Sequence, residues 1–340
     1  MRKIFKTLTA LAFTALPVAG FAQCGGTHTV ASGDTIFSIA EQYYEDHNQW
    51  SLIYYGNQVA LQGAMFELPQ GVELSIPCVN QASAPDEKPL LQNDAEMRLV
   101  TGSNYAPFTD RSWPGEGMVT ELVNAALEAS PHPVPFAITW EDDWSKHLFP
   151  ILDEKQADMG FPWLKPNCDE DTGNERCANF HFSEPLVEIL VLLFTRKDDP
   201  LTFEKDSDLH GKTICRPTGY FTHDLDRADR QWLSKNLVTL EQPASPDACF
   251  ELLMTGKVDA VTVNEFLGWT KIHDLGLKNN VVAVKRPLSI EGLHVIISKR
   301  HWRGTTHLYR FNSGLESLKA SKRYDEIVSR HLGIFWDQIN

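Results

Sequence analysis

The chain has 340 residues, 42% of them hydrophobic, and a formal net charge of −14 at pH 7. That acidic balance argues against nucleic-acid binding, where clustered cations supply the affinity, but leaves room for a local pocket that attracts anions. The length exceeds one ordinary domain, and after the first 22 residues no apolar run approaches the roughly 18 residues a membrane span needs.

The N-terminus reads "MRKIFKT", then the apolar "LTALAFTALPVAG", then Phe21-Ala22. A basic start, a short apolar stretch and small residues at Gly20 and Ala22 predict a secretory signal over residues 1–22, cleaved after Ala22, and so a periplasmic protein. Gln23 is the wrong neighbour for a lipidated Cys24. Removing a segment that carries Arg2, Lys3 and Lys6 and no acid takes the charge from −14 to −17. Six cysteines remain, without a Cys-x-x-Cys pair or a histidine cluster at zinc spacing, so neither a metal nor a cofactor is expected. An even count in an oxidising compartment favours disulfides. Sequence does not choose among the connectivities, but proximity favours Cys24–Cys78, Cys168–Cys177 and Cys215–Cys249, each within one unit of the chain.

Residues 24–78 read strand, helix, helix, strand. "HTVA" alternates, and Ser32 or Asp34 can cap a helix that carries Ile36, Ile39, Ala40 and Tyr43 at helical spacing. "NQWSLIYYGNQ" reads as a second helix closed at Gly56-Asn57, and "VELSIPC" returns as a strand. So small a unit is marginal on burial alone, and a Cys24–Cys78 bridge adds about 4 kcal/mol in the chain-entropy picture. Residues 79–95, around "QASAPDEKP", lack apolar periodicity and read as a linker that gives the module reach.

The stretches "HTVASGDTIFSIAEQYY", "NQWSLIYYGNQ" and "LPQGVELSIP" together resemble a LysM domain end to end. The resemblance implies a module that binds N-acetylglucosamine-containing glycan, chiefly peptidoglycan. Its groove would fall at Gly33, Asp34, Thr35, Ile36, Asn57, Leu68, Pro69 and Gln70, with backbone groups pairing acetamides while Ile36 and Pro69 cover a methyl. Read as residues alone, Gly33 and Asp34 also serve as a plain turn and cap.

From Met97 the pattern alternates. "MRLVTG", "FAITWED" and "ADMGFPWL" read as strands, and "GMVTELVNAALEAS" and "WSKHLFPILDEKQ" as helices, which predicts an α/β fold with a parallel sheet. Two long apolar strands, "EILVLLFTRK" and "GLHVIISKR", bracket a self-contained α/β segment of "GKTICRPTGY", "ASPDACFELLMTG" and "KVDAVTVNEF". Two crossing strands that lead to an inserted lobe predict a hinge and a cleft, with lobe 1 over 96–192 and 293–340 and lobe 2 over 193–292. Ligands in α/β folds collect at the carboxyl ends of strands, which such a cleft gathers from both lobes.

The ordered set "TGSNYAPF", "GEGMVTELVNAAL", "ERCANFHFSEPL", "DLHGKTICRPTGY", "MTGKVDAVTVNEF" and "RFNSGLESLKASKRYDEIVSRHLG" resembles the family 3 extracellular solute-binding proteins, the polar amino-acid receptors of ABC importers. The resemblance implies a two-lobed binding domain over 96–340. It places an aromatic wall at Tyr105 or Phe108 and further walls at Phe161 and Trp163. Arg176, six residues before Phe182, would hold a ligand carboxylate, a task suited to a forked and permanently charged guanidinium. Thr218 and Gly219 would donate from the second lobe. Where the family often carries an aspartate for the ligand ammonium, this chain has Asn264 with Glu265 beside it. Either Glu265 substitutes or the ligand is not a standard α-amino acid. Trp113, in "SWPGEG", is a candidate for the cleft rim. The plainer readings are that Tyr105, Phe161 and Trp163 are core, and that Arg176 pairs on the surface with Asp169, Glu170 or Asp171.

Signatures of catalysis are missing: there is no Gly-x-Ser-x-Gly elbow and no His-Glu-x-x-His. "GLESLKA" around Glu316 reads as a solvated helix face. The expectation is therefore a monomeric, non-enzymatic binding protein. Its partners would be peptidoglycan, a small polar carboxylate-bearing ligand and an ABC permease. A wall-associated sensor or scaffold is the alternative, and an enzyme on the same fold a further one.

Overall fold

A computed structural model describes residues 24–78, 95–171 and 173–339. The expected signal segment with its cleavage point, and nearly all of the expected linker, lie outside the described residues. The N-terminal module pairs β1 (Thr27–Thr29) antiparallel with β2 (Glu73–Ser75). Between them run α1 (Ile36–Tyr44), α2 (Trp50–Tyr55) and a short α3 (Gln58–Leu61). The cap of α1 is neither Ser32 nor Asp34. Thr35 Oγ1 accepts from Ser38 N at 3.0 Å and Ser38 Oγ accepts from Thr35 N, a reciprocal capping box. Asp34 instead closes the turn, taking hydrogen bonds from Ala31 N and the His28 ring at 2.7 and 2.8 Å. Cys24–Cys78 ties the two ends together.

In the large unit β3 (Met97–Thr101), α4 (Met118–Glu128), β4 (Phe136–Trp140), β5 (Met159–Leu164), α5 (Glu175–Asn179) and β6 (Phe180–Phe182) build the first lobe. Crossing out on β7 (Val187–Arg196), the chain forms β8 (Thr213–Cys215), β9 (Thr239–Glu241), α6 (Pro246–Met254), β10 (Ala260–Asn264), α7 (Glu265–Asp274) and β11 (Val281–Ala283). It returns on β12 (Ser289–Ser298) and ends in α8 (Gly304–Lys319), which carries the exposed Glu316, and α9 (Lys322–Ile339). The sheet order is β4-β3-β5-β12-β7-β10-β8-β9, with β11 on β7 and β6 on β12. β3 is parallel to β4 and β5 in one lobe, and β8 is parallel to β9 and β10 in the other. The long strands β7 and β12 pair antiparallel from Ser289↔Val191 to Leu293↔Val187 and join the lobes, so the predicted crossing is present. The remaining bridges are Cys168–Cys177 and Cys215–Cys249. No helix of the described residues is long and apolar enough to cross a membrane.

One predicted helix fails. "WSKHLFPILDEKQ" yields only an irregular turn over His147–Leu152, with Phe149 out of helical geometry (φ −133°, ψ 117°). Pro150 lacks an N–H and crowds the residue before it, so a regular helix cannot run through.

The module does not swing at the end of a linker. Every residue of α2 is buried, and the module's Tyr54 and Tyr55 belong to the same apolar core as the large unit. The Tyr55 ring packs on Phe266 at 5.2 Å, and its hydroxyl accepts from Leu190 N at 2.8 Å in the crossing strand β7. The Gln58 side chain holds both backbone groups of Glu188, at 2.7 and 3.1 Å. Lys285 of the second lobe lies over the Phe37 ring at 5.1 Å, while Gly56 faces Ser329 of α9. The expectation that the linker sets the module's reach is corrected accordingly: the module is seated on the strand that joins the lobes.

Candidate functional site

A cavity of about 740 Å³ opens between the lobes. From the first lobe come Tyr105, in the turn after β3; Trp113; Trp144; Trp163, at the end of β5; and Arg176, in the first turn of α5. The second lobe contributes Arg216, Gly219, Tyr220, Phe221 and Asn264, and the end of α9 adds Phe335 and Gln338. Tyr105, Trp163, Arg216 and Asn264 stand at or just past the carboxyl ends of β3, β5, β8 and β10, from both halves.

Arg176 is the distinctive group. Its guanidinium lies over the Trp163 ring at 5.1 Å, and Nη1 donates to Leu164 O at 3.4 Å. The surface pairing with Asp169, Glu170 or Asp171 does not form, and no carboxylate among the described residues pairs with it. Burial lowers its pKa, but a guanidinium stays charged. A second arginine, Arg216, was passed over in the sequence although it stands in the quoted "RPTGY". It is wholly buried and neutralised by a two-pronged pair with Asp224, at 2.6 and 2.9 Å, and it shapes the floor under Phe221. Its signal was only an arginine directly after a short strand, followed eight residues later by an aspartate.

The candidates divide. Tyr105, Trp163, Arg176, Gly219 and Asn264 meet at the cavity, and Trp113 reaches it while donating to the His331 ring at 3.1 Å. Phe108 and Phe161 do not: both are fully buried, and Phe108 packs on Tyr105 and Phe266. Thr218 is exposed, with its hydroxyl spent on Gln242 O at 2.6 Å. Asn264 caps α7, its Oδ1 accepting from Leu267 N at 3.0 Å. Glu265 is not a substitute for an ammonium partner. It points the other way, 1% exposed, into the seam where Ser51 and Tyr55 of the module meet Trp269, and burial pushes its carboxyl up to about 7. Across the mouth, Glu170 in the Cys168–Cys177 loop accepts from Ala228 N at 3.1 Å, an interlobe contact.

In the module, hydrogen bonds from Val30 N to Val72 O and from Gly71 N to Val30 O place the turn at 31–35 beside residues 68–71. Gly33, Thr35, Pro69 and Gln70 are exposed there, and Asp34 and Leu68 are half-buried. Two expected glycan contacts are corrected. Ile36 is fully buried in the core. Asn57 is also buried, its side chain clamping Ile53 O, Ser75 O and Ser75 N at 2.7–2.8 Å, so no polar atom is left over.

A cluster of Asp158, His301 and His307 lies away from the cavity. His301 Nδ1 accepts from Arg303 N, so its Nε2 carries the proton given to Asp158 at 2.8 Å, and His307 Nδ1 faces the Arg310 guanidinium at 3.3 Å. A neutral histidine that ligates through Nε2 must carry its proton on Nδ1, which here would point at N–H donors.

The fold is the two-lobed, periplasmic binding protein-like α/β arrangement. Among solved structures, the chain is similar to a histidine kinase sensor domain described as similar to periplasmic binding proteins (TM-score 0.51, 21% identity, 69% of this chain and 96% of that one). It is also similar to a mutant of ArgBP from T. maritima (0.50, 21%, 69% and 94%) and to the Bordetella pertussis BvgS periplasmic VFT2 domain (0.50, 17%, 69% and 92%). No family model and no curated protein matches the sequence.

Proposed function

We propose that this is an exported solute-binding protein that captures a small carboxylate-bearing ligand by closing its lobes, delivers it to an ABC permease, and is held at peptidoglycan by its N-terminal module. One observation carries the reading: a guanidinium without an acidic partner, largely withdrawn from water, faces an aromatic-lined gap between hinged lobes. Its desolvation is offset when an anion docks on it, and an anion that touches both lobes favours the closed state by its differential affinity. For the module, exposed Gly33, Thr35, Pro69 and Gln70 offer backbone groups and a small apolar surface to an acetamide. A second reading, a wall-associated sensor, draws support from the seating of the module on β7: whatever binds the module or the cleft acts on the same crossing strand. Thermal denaturation against a panel of small carboxylates tests the first reading. Stabilisation of the wild type and none of a folded Arg176→Ala variant is expected; equal stabilisation of both overturns the role given to Arg176.

A further inference from the structure

The charged groups lining the cavity are few. Arg216 is cancelled by Asp224. Among the described residues, the carboxylates lining the cavity are those of Asp110 and Asp274. Asp110 is a turn staple: Oδ1 accepts from Ser112 N at 2.8 Å and Oδ2 from Asn104 N at 3.1 Å. Asp274 is exposed at the mouth and pairs with the His273 ring at 3.2 Å. Asn264 has committed its carbonyl to Leu267 N, which leaves its amide N–H₂, a donor, as the polar group it can offer. The cleft therefore presents Arg176, a cation without an acidic partner, and a spare donor at Asn264; its carboxylates are Asp110, tied into its own turn by Asn104 N, Ser112 N and Ser112 Oγ, and Asp274, exposed and paired with His273. A ligand ammonium placed beside Asn264 would lose its water and meet an amide donor rather than a counter-charge, a costly transfer. A carboxylate would gain the Arg176 fork.

The rest of the lining is flat and apolar. Tyr105, Trp144, Trp163, Tyr220, Phe221 and Phe335 surround the gap, and the cavity of about 740 Å³ is ample for a ring system beside the carboxylate. Offset or edge contacts with such rings favour an aromatic body over an aliphatic one.

Building on the proposed solute-binding function, we propose that the ligand is an aromatic carboxylate that lacks an α-ammonium group. Two matched pairs of probes test this on the full mature chain by calorimetry: 3-phenylpropanoate against L-phenylalanine, and indole-3-propanoate against L-tryptophan. The deaminated acid of at least one pair is expected to bind about tenfold or more tightly than its amino acid, and 3-phenylpropanamide is expected not to bind. Asn264→Asp, which keeps the helix cap, should narrow or invert the preference; Arg176→Gln, checked for folding by circular dichroism, should lose the acids. Amino acids that bind as tightly as the deaminated acids overturn this inference and leave the solute-binding reading standing. Butanoate binding as tightly as 3-phenylpropanoate overturns the aromatic part. Binding by none of the acids overturns the inference together with the reading it rests on.

Discussion

Glu265 permits a quantitative prediction about how the module and the binding domain are joined. Its carboxyl is sealed between Ser51 and Tyr55 of the module and Trp269 of α7, and neither oxygen finds a hydrogen bond of ordinary geometry. Burial lifts it from an ordinary value of 4.5 to about 7. The folded protein therefore holds a proton that the unfolded chain releases, and stability falls as pH rises between these values. Below the unfolded value the contribution is intact; above the folded value it is fully lost. At 1.36 kcal/mol per unit the loss is on the order of 3 kcal/mol. Glu265→Gln keeps the shape and removes the titration. Urea denaturation at pH 5, 6, 7 and 8 should show the variant gaining on the wild type as pH rises, by up to about 3 kcal/mol at the alkaline end. A constant difference between variant and wild type across that range would refute the reasoning, because it would mean that Glu265 is solvated or paired in the folded state.

Two more predictions concern the module. Tyr55→Phe strips the acceptor from Leu190 N in a buried strand and should cost about 1–3 kcal/mol in urea denaturation; a change below about 0.5 kcal/mol would mean that the module is not seated on β7. The chain from Gln23 onward should pellet with purified peptidoglycan, and Pro69→Glu, at an exposed position, should reduce pelleting without altering the melting temperature; pelleting unchanged by the variant would remove the proposed groove.

The parts of the fold that could be read from sequence are those governed by local pattern. The two apolar stretches "EILVLLFTRK" and "GLHVIISKR", about a hundred residues apart, fall on the crossing strands Val187–Arg196 and Ser289–Ser298. Arg176 was marked only by the resemblance, six residues before Phe182, and it stands in the first turn of α5 on the cavity. Three features were hidden because they depend on distant partners. The helix Trp50–Tyr55 is apolar on all sides, a pattern that signals burial on all sides, but nothing local says that β7 and α7 provide the cover. Asn57 looks like a surface turn residue until Ser75 is brought opposite it. Phe161 and Trp163 share a face of β5 by alternation, yet Phe161 is fully buried and Trp163, nearer the strand end, lines the cleft; the sequence does not mark where along the strand the core gives way to the cleft. The broken helix at His147–Leu152 was readable from Pro150 and was overlooked.

The most direct test of the account is mass spectrometry of small molecules released on denaturing protein purified from cells without added ligand, with wild type and Arg176→Ala prepared in parallel. The account predicts a carboxylate released from the wild type and absent from the variant. The same molecule released in equal amount from both would contradict it.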